Sequence, residues 1–361
     1  MIKNIVLNLA YYFVAFFHML LDLLNPLFYS SVRRLNRKID GKLKFNSKFT
    51  VVFVLYQKNY IPFYVQNVLD VFKELQVNCI LSVNEDADQS VIDKLKDNCN
   101  TLFVRKNFGL DFAAYKDSIL QSDFSDCERL IIMNDSIFLF KNGLKKLLLQ
   151  FLEDKYDVVA LGENISAPRW HLQSYLVSFS KKVIQDKDFI GFWKNYKPFT
   201  HKKYVIYNGE VALSNLALKK YYKTTKVIFN LDVIINNYKK IEELASKLIS
   251  NNMFSTYQKE FSENSKGKEL QKDPSILNFL EKTNITHSAA FLFKEFSDGS
   301  MILKRDIVFK KSFNINEVYQ NLNQLNIDIV EKEQVINELK LRGNLSHQGI
   351  IDKFLFAIGI K

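Results

Sequence analysis

Two polar clusters, each closing an apolar run, hold the residue types from which a ligand site is built. The first is Arg105, Asn107, Gly109 and Asp111, which follow Thr101-Leu102-Phe103-Val104. An arginine pairs bidentately with a diphosphate, a glycine lets backbone approach a ligand closely, and an aspartate accepts hydrogen bonds from ribose or sugar hydroxyls. Alone, Asp111 reads as a cap for a helix beginning at Phe112. The second cluster, Asn134-Asp135-Ser136, ends the run from Leu130 to Met133. A carboxylate beside a donor or acceptor side chain is a hard-oxygen site suited to Mg2+ or Mn2+ bridging two phosphates. Its plain alternative is a polar strand end. One crossover apart, the two clusters together favour a nucleotide-sugar site over coincidence.

Such clusters act together only if the fold delivers both to one edge. Residues 50–56 are a β-branched and aromatic run, and 61–75 carry Val65, Val68, Leu69, Phe72 and Leu75 at helical spacing. A strand over 78–83, a helix near 89–97 and a strand over 101–104 follow. The acidic turn Glu85-Asp86-Ala87-Asp88 reads as a solvated loop. Alternation of this kind predicts a Rossmann-like α/β domain with a parallel sheet, whose ligands sit at the carboxyl ends of the strands. The first strand is followed by no GxGxxG, and no GxxxxGK[ST] loop occurs, so neither oxidoreductase-type dinucleotide binding nor a P-loop is indicated.

The 361 residues are 47% hydrophobic and 25% charged, with 11 Gly and 5 Pro, which suits a globular chain with a full core. Fifty Lys+Arg against 39 Asp+Glu give +11, which favours an anionic partner. Between residues 31 and 50, Arg33, Arg34, Arg37, Lys38, Lys42, Lys44 and Lys48 meet one acid, Asp40, directly after the apolar stretch 5–29. The uninterrupted part of that stretch falls short of the ~20 residues of a membrane span. It predicts an interfacial helix on a membrane surface, with a packed or dimer-forming helix and a true span as alternatives. No nucleic-acid-binding signature accompanies the charge, so no nucleic-acid partner is expected. Cys79, Cys99 and Cys127 are odd in number and have no CxxC spacing, so neither a disulfide framework nor a thiolate metal site is indicated, and a reducing compartment fits. Near the other end, Val318, Leu322, Leu325, Ile329, Val335, Ile336 and Leu339 predict an amphipathic helix pair that packs. The apolar residues 350–361 would meet the N-terminal helix at a membrane face or in a homo-oligomer interface. The division expected is 1–48 as apolar and basic helices, 49–312 as the α/β domain, and 313–361 as C-terminal helices.

The pattern Arg105-x-Asn107-x-Gly109-x-Asp111, a crossover, then Asn134-Asp135-Ser136 resembles the nucleotide-binding half of GT-A glycosyltransferases. Asn134-Asp135-Ser136 stands at the position of their D-x-D motif but has one acid in place of two, which bears on metal dependence. Further segments resemble the rhamnan synthesis protein F family, over roughly residues 49–311. They are Trp170-His171-Leu172-Gln173-Ser174-Tyr175, Phe189 to Trp193, Gly209-Glu210-Val211-Ala212-Leu213-Ser214, and Thr286-His287-Ser288 with Lys304-Arg305. The resemblance implies a GT-A-like, mostly parallel sheet flanked by helices, with amphipathic helical extensions at both ends. It also implies inverting transfer of rhamnose or a related sugar from a nucleotide-diphosphate donor to a lipid-linked or nascent cell-surface polysaccharide; the amphipathic ends would hold that site at the cytoplasmic face of the cell membrane. Glu210 becomes the candidate base, against a capping acid at the start of a helix over 211–222. Trp170, His171 and Gln173 become acceptor-facing candidates, with a satisfied core histidine as the alternative for His171. His287 becomes a third metal ligand beside Asn134 and Asp135, or a phosphate donor, and Lys304 and Arg305 a clamp on the diphosphate, against a surface charge pair. The competing reading is a non-catalytic glycan-assembly or scaffold protein that keeps the fold.

Overall fold

The computed structural model describes Leu24 and residues 27–34, 36–164, 170–230, 285–288, 290–292, 301–310 and 312–343. Most of the apolar N-terminal stretch, the polar region 239–272, Asp273-Pro274 and the apolar terminus 350–361 lie outside these residues. A helical segment at 27–33 (α1) leads into strand β1, Arg37–Asp40. Then come β2 (Phe49–Leu55), α2 (Phe63–Glu74), β3 (Asn78–Asn84), α3 (Gln89–Lys96), β4 (Thr101–Arg105), α4 (Leu110–Leu120) and β5 (Arg129–Asn134). These are the elements whose apolar spacing is legible in the sequence.

The sheet has nine strands in the order β1-β4-β3-β2-β5-β9-β7-β10, with β8 beside β7; β7 is Val158–Asn164, β8 His171–Leu172, β9 Leu176–Ser180 and β10 Thr225–Phe229. Pairings β4–β3, β3–β2, β2–β5 and β7–β10 are parallel; β1–β4, β5–β9, β9–β7 and β7–β8 are antiparallel. The fold is thus α/β, with a mixed and largely parallel sheet. Its central strands are buried on both faces, which is why β2 and β5 read as unbroken apolar runs. Val51, Phe53 and Leu55 pack into one core with α2 and α3, while Val52 and Val54 pack into the other with Phe112 and Tyr115 of α4.

One expectation is corrected here. Residues 37–40 fall in the segment expected to be helical, yet they pair antiparallel with β4, Ile39 opposite Leu102. The hydrogen-bonding edge of β4 and the apolar contact of Ile39 with the core outweigh the surrounding basic residues.

Winding from β2 through β3 to β4 runs one way, and β5 returns to the other side of β2, so the strand order reverses between β2 and β5. Ligands of open α/β sheets lie in the crevice at that reversal, beyond the carboxyl ends of the strands. A two-stranded sheet closes one side: β6 (Ile137–Leu139) pairs with β11 (Ile302–Lys304), Lys304 opposite Ile137. Beyond it, α11 (Ile315–Asn323) and α12 (Ile329–Arg342) form the helix pair read from the sequence, and Val318, Leu322, Val335, Ile336 and Leu339 join the core of α2 and β6.

Candidate functional site

At the reversal, Asp135 stands between the ends of β2 and β5. Its backbone N–H donates to the Val54 carbonyl at 3.2 Å, and its Oδ2 accepts from the Tyr56 backbone N–H at 2.9 Å and from the Gln57 amide. Asn134, the last residue of β5, donates from Nδ2 to Asp111 Oδ2 at 2.7 Å and accepts at Oδ1 from the Ser136 N–H. The two clusters separated in sequence therefore meet side chain to side chain. Asp111 lies in the first turn of α4, which is entered through Gly109 at φ 76° and Leu110 at φ 51°. The capping residue is Gly109, so Asp111 is left to face Asn134. Burial, then the negative charges of Asp135 and Glu210, push the Asp111 carboxyl up to about 6.

The β6–β11 register brings basic residues to the same place. The Arg305 N–H donates to the Ser136 carbonyl at 3.1 Å, and Lys304 Nζ lies 3.4 Å from Ser136 Oγ and 4.3 Å from the Tyr175 ring centroid. Burial lowers the Lys304 ammonium to about 8. Arg305 donates from NH1 to the Asp135 carbonyl at 2.7 Å and reaches Asp135 Oδ2 at 3.4 Å, while Nε and NH2 hold Glu338 at 2.6 and 2.5 Å.

Glu210 approaches from the other core. The helix expected to begin at 211 starts earlier: α7 (Lys202–Tyr204) runs into a π-helical stretch, Val205–Val211, and then α8 (Ala212–Tyr221). Glu210 therefore lies inside a continuous helix and is not its cap. A π turn inserts one extra residue per turn and re-aims side chains, as happens at functional sites. Gly209 makes this turn possible, because a Cβ there would stand 2.7 Å from the Phe112 ring. Ser174 Oγ donates to Glu210 Oε1 at 2.7 Å, and His171 Nε2 lies 3.4 Å from Oε2. Against the desolvation that raises it, hydrogen bonding and charge from His171 and then Ser174 hold the Glu210 carboxyl below its usual value.

The other predicted residues are placed as follows. Arg105 is 3% exposed, its Nε 3.3 Å from Asp117 Oδ2 and its NH2 on the Phe108 carbonyl, so its guanidinium braces α4 and the loop before it. Asn107 is exposed, and Gly109 packs against Pro198 and Ala113. Trp170 donates to Glu163 at 2.7 Å; His171 and Gln173 are buried, their side-chain nitrogens 3.5 Å apart. His287 Nε2 meets Asp306 Oδ1 at 2.7 Å, its buried Nδ1 has no hydrogen-bond partner, and burial lowers its pKa to about 4.

Asn134, Asp135 and His287 do not make a preformed metal cage. Both ends of the Asn134 amide and Asp135 Oδ2 are engaged by protein groups, and among the described residues no three His, Cys, Asp or Glu side chains group as metal ligands. Among the described residues no bond to Asp135 Oδ1 is seen, which would suit an ion carried in by phosphate ligands. Sequence reasoning missed Gln57, Tyr64, Ser174 and Glu338. Gln57 had a signal, as the polar residue just past the first strand; Glu338 had none, since its helix reads as packing.

A family model described as rhamnan synthesis protein F matches residues 79–257, about half of the chain. The uncharacterized protein y4gN of Sinorhizobium fredii (strain NBRC 101917 / NGR234) is 31% identical over 127 residues, 34% of this chain and 33% of that protein. The chain thus spans about a third of the length of the curated relative it matches. Among solved structures, the glycosyltransferase GlyE of Streptococcus pneumoniae TIGR4 aligns with 88% of this chain and 65% of its own at 11% identity and TM-score 0.36. TarS 1–349 of S. aureus aligns with 81% of this chain and 89% of its own at 12% identity and TM-score 0.32. Residues 79–257 thus carry the chain's match to the rhamnan synthesis protein F family.

Proposed function

We propose that the chain is a glycosyltransferase that moves a sugar, rhamnose or a related one, from a nucleotide-diphosphate donor to a lipid-linked or nascent cell-surface glycan with inversion. The observation that carries this is the meeting of Asp111, Asn134, Asp135 and Lys304 at the strand-order reversal, within the electrostatic reach of Glu210. Asp111 and Asn134 would take ribose or sugar hydroxyls. The exposed rings of Tyr56 and Tyr60, just past β2, offer flat faces to a base. Lys304 would hold its proton against the donor diphosphate, where two negative charges offset the desolvation that lowers its pKa. A Mg2+ or Mn2+ ion held by the diphosphate and Asp135 Oδ1 would add further neutralisation of the leaving group.

Glu210, kept ionised, would accept the proton of the acceptor hydroxyl as its oxygen bonds to the anomeric carbon and the bond to the diphosphate breaks. His171 and Ser174 aim that carboxylate. On α1, Leu27 and Phe28 are 71% and 56% exposed, followed by the basic run from Arg33. That supports docking on the anionic cytoplasmic face of the cell membrane, where a lipid-linked acceptor resides; no described helix is long and apolar enough to cross it. A homo-oligomer covering the same face is the competing partner.

The reading is tested by incubating the purified chain with UDP-, GDP- and dTDP-sugars and measuring sugar release. Release from one of them, lost in Glu210→Gln, supports transfer. No release from any, with binding retained, would favour the non-catalytic scaffold, a reading to which the single acid of Asn134-Asp135-Ser136 lends support.

A further inference from the structure

Five side chains from five separate parts of the chain close a polar ring beside the crevice. Gln57 Nε2 donates to Asp135 Oδ2 and lies 3.3 Å from Tyr64 Oη. Tyr64 Oη is 3.4 Å from Glu338 Oε1, Glu338 takes Nε and NH2 of Arg305, and Arg305 NH1 returns to the carbonyl and Oδ2 of Asp135. The Arg305 guanidinium also lies over the Tyr64 ring, 5.1 Å from its centroid. Gln57 follows β2, Tyr64 is in α2, Asp135 follows β5, Arg305 follows β11, and Glu338 is in α12.

The ring leaves Arg305 little freedom to serve a ligand, because each of its three nitrogens is held by Asp135 or Glu338. What it does is fix Asp135. Oδ2 is held by the Tyr56 N–H, the Gln57 amide and Arg305, so the carboxylate, Oδ1 included, is held in one orientation. The paired donors Nε and NH2 of the Arg305 fork grip Glu338, which fixes the plane of the guanidinium and with it the NH1 that reaches the carbonyl and Oδ2 of Asp135. Removal of one member of such a partly buried network leaves the others with unmatched polar groups.

We propose that Glu338 is a positioning residue of the candidate site: acting through Arg305, it fixes the Asp135 carboxylate, which makes helix α12 part of the site. The activity side of this rests on the transferase reading above; the structural side does not. Glu331, on the same helix, is the internal control. It holds Asn67 Nδ2 at 2.6 Å and the Lys141 N–H at 3.1 Å and takes no part in the ring.

The test compares Glu338→Gln, Arg305→Lys, the double variant and Glu331→Gln in the full chain, by site-resolved amide hydrogen exchange and by hydrolysis of whichever nucleotide sugar the wild type cleaves. Glu338→Gln is expected to speed exchange of the Tyr56 N–H, which donates to Asp135 Oδ2, by about ten-fold, with β3 and β4 unchanged. It should lower kcat by about ten-fold while KM moves less than about three-fold, as a misplaced but retained carboxylate would. The double variant should be no worse than Arg305→Lys alone, since both act on one ring. Glu331→Gln should leave Tyr56 exchange and kcat as in wild type. The proposal is overturned if Glu338→Gln changes exchange only within α12 and leaves Tyr56 and kcat alone, or if the two single effects add. If the wild type cleaves no nucleotide sugar, the transferase reading falls, and Tyr56 exchange alone decides whether Glu338 fixes Asp135.

Discussion

At the scale of single residues, the site is a contest between carboxylates. Asp111 and Glu210 are driven apart: burial and neighbouring acids raise Asp111 to about 6, while His171 and Ser174 hold Glu210 low. Such divergence separates a group that carries a proton near neutrality from one that stays ionised. A carboxyl raised on folding contributes stability that is present below its unfolded value near 4 and is lost as pH rises through about 6. Asp111→Asn removes that dependence, so thermal melts at pH 4 and pH 7.5 should show the variant gaining on wild type only at the higher pH. The gain is bounded by about 3 kcal/mol, less the solvent screening of a partly exposed group. Glu210→Gln should lower sugar transfer by about a hundred-fold with little change in melting temperature, the signature of a lost proton acceptor. A loss of folding in its place would mark Glu210 as structural.

At the scale of elements, the strands were legible because a parallel strand buried on both faces must be apolar throughout, and α2 because one face repeats at helical spacing. The polar clusters were legible as strand ends. Lys304 and Arg305 were reached only through the family resemblance and Glu338 not at all, because β11 and α12 come to the site through register and tertiary packing, which a local pattern does not encode. Arg105 shows the same limit: its type suits a diphosphate, but Asp117, twelve residues on, lies one helix face away and takes it. The turn into α4 makes a clear prediction. At Gly109 a Cβ would lie 2.6 Å from Pro198 Cβ at a left-handed φ, so Gly109→Ala should lower stability by about 2 kcal/mol or more in chemical denaturation. An effect under half that size would show that the turn relaxes.

At the scale of the whole molecule, one buried acid gathers several described side chains of the N-terminal segment onto α4, beside the pairing of β1 with β4. Asp117, in α4, accepts from Tyr29 Oη and from Asn36 at 3.1 Å, and pairs with Arg105 and with Arg33 at 3.5 Å. The sequence showed the apolar and basic character of this segment but not its anchor, since Asp117 is one charge inside an otherwise ordinary helix. Deletion of residues 1–28 removes the exposed Leu27 and Phe28, keeps Tyr29, Arg33 and Asn36 on Asp117, and should weaken co-sedimentation with anionic vesicles while donor hydrolysis persists. Tyr29→Phe should cost about 1.5–3 kcal/mol, as expected for a lost bond to a charged group. The proposed donor site is the acidic crevice at the β2–β5 reversal, with Lys304 at its wall. The most direct test is a crystal structure of the chain soaked with UDP or dTDP. Diphosphate density is expected within hydrogen-bonding distance of Lys304, with ribose beside Asp111 and Asn134; nucleotide bound elsewhere on the chain, with this crevice empty, would rule the donor site out.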